Sequence, residues 1–107
     1  MAKFLFLFGA FFLIATSAEA MCVYNKSPVP PGWTAKGMAV SVEFNCTEPF
    51  CGTRWTIDAG DHKCYPNKGG TVHAGVGGKY DGCSANVHPH GTVTVKRMPR
   101  LSCASGN

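Results

Sequence analysis

Six cysteines stand between positions 22 and 103: Cys22, Cys46, Cys51, Cys64, Cys83 and Cys103. How they are read depends on the compartment, and the first twenty residues bear on that. Lys3 precedes an apolar run over residues 4–14, and Ala18-Glu19-Ala20 supplies small side chains at the −3 and −1 positions of a cleavage site. This is the pattern of a secretory signal peptide. The run is shorter than the roughly 20 apolar residues that a membrane span needs. Residues 1–20 are therefore expected to be removed, and residues 21–107 to form a single cysteine-rich β domain. An even number of cysteines in a short secreted chain predicts three disulfides and no free thiol. Six cysteines allow 15 connectivities, and spacing does not choose among them.

A chain this short buries a limited fraction of its surface, so its core alone is marginal and needs staples. Each bridge contributes about 2–4 kcal/mol, chiefly by restricting the unfolded chain. Cleavage after Ala20 removes one cation and one anion, leaving the formal net charge at +4. The basic residues are dispersed except for Lys96, Arg97 and Arg100. Without a long basic run, no dedicated nucleic-acid partner is expected.

Alternation of period two recurs along the chain. Met38, Val40, Val42 and Phe44 fall on one face of a strand over residues 38–44, with Ala39, Ser41 and Glu43 on the other. Residues 53–58 put Trp55 and Ile57 on one face, and residues 91–97 turn Val93 and Val95 inward. Such alternation marks half-buried strands. Shorter strands are expected at 21–24 and 63–65, with 71–76 as the hairpin partner of 63–65. Residues 28–32 and 66–70 read as turns rich in Pro and Gly. No window predicts a helix. Five or six short strands at intervals of about ten residues predict an all-β fold, a small disulfide-stapled antiparallel sandwich or barrel.

Several side chains are candidates for chemistry. His88 and His90 are two apart, as are His62 and Cys64, and in a strand such neighbours share a face. Pro89 favours a loop, however, a disulfide would claim Cys64, and no full ligand set of standard spacing is present. No metal or cofactor is expected. A secreted nuclease would combine His73 with Glu43 and Arg54, or with another histidine, as base, acid and cation around one phosphate. Nothing in the spacing brings these residues together, and no nucleophile elbow, zinc-protease helix or phosphate loop is present. The expectation is therefore no catalytic activity. Trp33 and Tyr80 lie outside good strands, and rings on loops can anchor a partner. Trp33, Tyr80, His88 and His90 are the candidate partner-binding residues, in loops over residues 28–36 and 80–90. Asn25-Lys26-Ser27 and Asn45-Cys46-Thr47 match the N-glycosylation pattern.

With its signal stretch, compact size, six cysteines and no catalytic motif, the whole chain resembles the small secreted cysteine-rich proteins of fungi, effector-like or toxin-like. The resemblance is to a class, so no residue's role is carried over from it. It implies action by binding, outside the producing cell or inside a host cell, on a protein, a glycan or a membrane surface. It also implies a β-sandwich stapled by disulfides. The leading expectation is a secreted, monomeric effector-type protein that binds a host protein or glycan and has no membrane span. The alternatives are an antimicrobial or killer-toxin-like protein acting on microbial surfaces, and a small secreted nuclease.

Overall fold

The computed structural model describes residues 20–66 and 68–106. The signal stretch lies outside them apart from Ala20. Among the described residues there are eight strands: β1 (Ala20–Asn25), β2 (Val40–Cys46), β3 (Gly52–Ile57), β4 (His62–Pro66), β5 (Gly70–Gly75), β6 (Cys83–Val87), β7 (Thr92–Lys96) and β8 (Ser102–Gly106). One turn of 3-10 helix, Lys36–Met38, precedes β2. The strands form two four-stranded sheets, ordered β4-β1-β7-β8 and β3-β2-β5-β6. All neighbours are antiparallel except β1 and β7. Among the described residues, no helix is long and apolar enough to cross a membrane.

One hydrophobic core joins the sheets. Met21, Val23, Val93 and Val95 enter it from the first sheet. Val40, Val42, Phe44, Ile57, Val72, Ala74 and Val87 enter it from the second. Alternation along each strand produces this sandwich, since side chains of period two point to opposite faces. The all-β, disulfide-stapled sandwich expected from the sequence is what forms, with one parallel pairing inside it.

The details depart from expectation in four places. β6 and β8 were not legible as strands, because Cys83–Val87 and Ser102–Gly106 carry few β-branched or large apolar residues. Both are edge strands, one in each sheet, and the Cys83–Cys103 disulfide ties them together. The expected hairpin between residues 63–65 and 71–76 does not form. β4 pairs with β1 in one sheet, while β5 pairs with β2 and β6 in the other. Tertiary pairing overrides the nearest neighbour here: the Cys22–Cys64 disulfide holds directly opposed residues of β1 and β4. Met38 is buried, but at the end of the 3-10 turn and not in β2. The third disulfide, Cys46–Cys51, closes the loop from β2 to β3.

Asn25 links the sheets through polar contacts. It is 1% exposed. Its side-chain Nδ2 donates to the carbonyls of Met38 at 3.1 Å and Ile57 at 2.8 Å, and its Oδ1 accepts the Ser27 N–H at 3.0 Å. A buried amide is tolerated where its donors and acceptor are matched in this way. In the folded chain this asparagine is structural, and its burial leaves no room for a glycan.

Candidate functional site

The outer face of the β3-β2-β5-β6 sheet concentrates the chemistry. On β2, Val42 and Phe44 point into the core, so Glu43 points out. On β5, Val72 and Ala74 are buried, so His73 points out. On β3, Arg54 lies between Thr53 and Trp55, and Trp55 packs against the core. The register then aligns what alternation turned outward. Glu43 is directly opposite Arg54 on one side and His73 on the other, and His73 is directly opposite Ser84. A carboxylate, a guanidinium, an imidazole and a hydroxyl thus form one row across four strands. The three residues that the sequence suggested for phosphate chemistry stand on three adjacent strands. A Cβ at Gly70 would run into the Asn45 carbonyl, so glycine is what permits the close approach of β2 and β5 at this end.

Arg54 donates to Glu43 Oε2 through Nε at 3.0 Å and lies within 3.0 Å of the same oxygen through Nη2. The Arg54 side chain is 67% exposed and the Glu43 side chain 25%. A pair this open to water adds about 0–1 kcal/mol to stability. The Tyr80 ring lies 5.2 Å from the Arg54 guanidinium, a cation–π distance. Tyr80 is carried by the 76–82 loop, which folds back because Ser41 Oγ accepts the Gly78 N–H at 2.8 Å and the Ala74 carbonyl accepts the Gly82 N–H at 2.9 Å.

Two shallow depressions flank the row. One, of about 490 Å³, is lined by Glu43, Asn45, Phe50, Gly52 and Arg54. The other, of about 290 Å³, is lined by His73, Tyr80, Asp81 and Ser84. Phe50 is fully exposed and has a φ of 60°. This left-handed conformation costs an L-residue about 1–2 kcal/mol. The Cys46–Cys51 bridge closes the loop on either side of it. Phe50 is not among the residues singled out from the sequence. The available signal was a large ring next to a cysteine in a loop too short to bury it.

The structure separates the other candidates. Tyr80 joins the row. Trp33 is 57% exposed on the 26–39 loop, which is tied to the end of β7 by hydrogen bonds from the Arg97 Nη1 to the carbonyls of Gly37 at 2.9 Å and Ala39 at 3.2 Å. His88 and His90 are exposed in the turn before β7, at the opposite end of that strand. His88 lines a separate depression of about 330 Å³ with Thr47, Thr71 and Asn86. Among the described residues, no group of three or more His, Cys, Asp or Glu side chains is placed to hold a metal ion. Compared with known proteins, the chain matches no family, no curated protein and no solved structure.

Proposed function

We propose that this is a secreted recognition protein, acting outside the cell that makes it, with the outer face of the β3-β2-β5-β6 sheet as its contact surface. The observation that carries this reading is Phe50: a fully exposed ring, held by a disulfide loop at the rim of a depression that Glu43, Asn45 and Arg54 also line. Rings presented on a constrained loop lose little freedom on binding, and buried aromatic anchors dominate interface energies. Polar groups of both signs beside the ring supply directional hydrogen bonds. The signal-like residues 1–20 and the pairing of all six cysteines support an extracellular site of action, since disulfides persist in oxidising compartments.

The test is binding of the labelled, oxidised protein to intact cells and to immobilised extracellular glycans and proteins. Phe50→Ala is expected to weaken binding by at least about tenfold, a loss typical of an anchor residue. A loss confined to Trp33→Ala would instead move the contact surface to the 26–39 loop.

A further inference from the structure

The row on this sheet has the parts of a phosphodiester-cleaving site. Directly paired residues of antiparallel strands keep their Cβ atoms about 4.5–5.5 Å apart. Glu43, with Arg54 on one side and His73 on the other, is therefore placed so that carboxylate, guanidinium and imidazole can reach one small group above the sheet. Both Arg54 contacts fall on Glu43 Oε2, so Oε1 is the carboxylate oxygen that Arg54 does not engage. An imidazole is the side chain best suited to pass a proton near neutral pH. Rings flank the row: Phe50 lines the depression on one side and Tyr80 the depression on the other. The chain as a whole carries a net charge of +4, which favours the approach of a polyanion.

We propose that Glu43, His73 and Arg54 cleave single-stranded RNA by transphosphorylation. Glu43 takes the proton of a ribose 2′-hydroxyl. The freed oxygen pair forms a new bond to phosphorus, and the bond from phosphorus to the 5′-oxygen breaks with its electron pair on that oxygen. The imidazolium of His73 gives its proton to the leaving 5′-oxygen. The products are a 2′,3′-cyclic phosphate and a 5′-hydroxyl end. The proton on Glu43 returns to His73 through solvent, so atoms and charge balance without an oxidant or co-reactant. Arg54 faces the non-bridging oxygens, where charge builds up in the transition state. Bases unstacked from a single strand find aromatic faces at Phe50 and Tyr80. The absence of a basic run spoke against a dedicated nucleic-acid partner, but cleavage needs one cation at one phosphate. The inference rests on the reading of this face as the contact surface and goes beyond it by adding a reaction.

The experiment incubates the oxidised protein with a labelled single-stranded RNA and with DNA of the same sequence. RNA fragments ending in 2′,3′-cyclic phosphate are expected, with the DNA intact because it lacks the nucleophile. His73→Ala and Glu43→Gln should each slow cleavage by at least about 100-fold, the range for losing a general acid or base. His62→Ala, on the other sheet, should cut at the unaltered rate. If Glu43→Gln or His73→Ala fails to fold in a thermal melt, His73→Asn keeps a planar polar side chain and gives the same readout. Absence of cyclic-phosphate ends from the unaltered protein overturns the proposal, as does undiminished cleavage by a folded His73 variant. RNA or glycan binding at this face without cleavage overturns the chemistry and leaves the recognition reading standing. Unchanged binding by Phe50→Ala in the cell and glycan assay defeats the recognition reading independently.

Discussion

The two sheets share a core and differ on the outside. On the β4-β1-β7-β8 sheet, outward groups on β1 and β4 close on one another. Cys22 is bonded to Cys64, and Tyr24 stacks on His62 with ring centroids 4.9 Å apart and planes at 16°. Thr92 and Thr94 continue those two rows on β7. On the β3-β2-β5-β6 sheet, the corresponding row holds Arg54, Glu43, His73 and Ser84, and its carboxylate keeps one oxygen clear of the guanidinium. Sulfur bonded to sulfur and ring stacked on ring leave little chemistry for a partner. Opposite charges and a proton carrier facing solvent leave a good deal. The contrast teaches that the outward groups of β1 and β4 are spent on one another, while the row on the other sheet turns charged and polar side chains toward solvent.

The largest structural effect should come from opening the bridge between β1 and β4. Replacing Cys22 and Cys64 together by Ser releases a span of 42 residues and is expected to cost about 4 kcal/mol on the chain-entropy scale. Replacing Cys46 and Cys51, a span of 5 residues, should cost about 2 kcal/mol on the same scale. Denaturant midpoints of the two double variants measure the difference. Equal losses would break the contrast, because the Phe50 loop would then matter as much to stability as the bridge between β1 and β4.

A next, smaller effect is expected at the seam. Asn25→Ala removes the amide that bonds the Met38 and Ile57 carbonyls, leaving buried acceptors unmatched, at a cost of about 3 kcal/mol. A loss under about 1 kcal/mol in a urea titration would mean that water replaces the side chain and that the sheets are held by packing alone.

Smaller still, Val42→Ala and Val95→Ala remove buried groups from one sheet each. Each should cost about 2 kcal/mol through lost burial and a cavity. Trp33→Ala, at an exposed ring, should stay within about 0.5 kcal/mol. Thermal melts of the three proteins sharpen the comparison. Matching valine losses place both sheets on one core, whereas a comparable drop for Trp33→Ala would make that ring part of it.

Some of this was readable along the chain. Alternation identified Val40, Val42, Phe44, Val93 and Val95 as inward-facing, because period two in a strand is a local property. The same alternation made Glu43 outward-facing. β6 and β8 were missed because their strand character comes from neighbours they pair with and from the Cys83–Cys103 bridge, not from their own composition. The 63–65 segment was matched to the wrong partner because sequence proximity favours hairpins, whereas β4 gains its place from β1 and from Cys22. Phe50 drew no attention because a ring in a short loop has no periodic signature.

Composition and period, acting within a few residues of each side chain, were enough to determine the all-β class, the need for staples and which faces are apolar. Register required the folded molecule, because pairing between strands depends on contacts among residues far apart in the chain. That register set Arg54, Glu43, His73 and Ser84 in one row, and the fold of the 76–82 loop brought Tyr80 over Arg54. A shift of one residue in either pairing would have left the same side chains in the sequence and no row on the sheet.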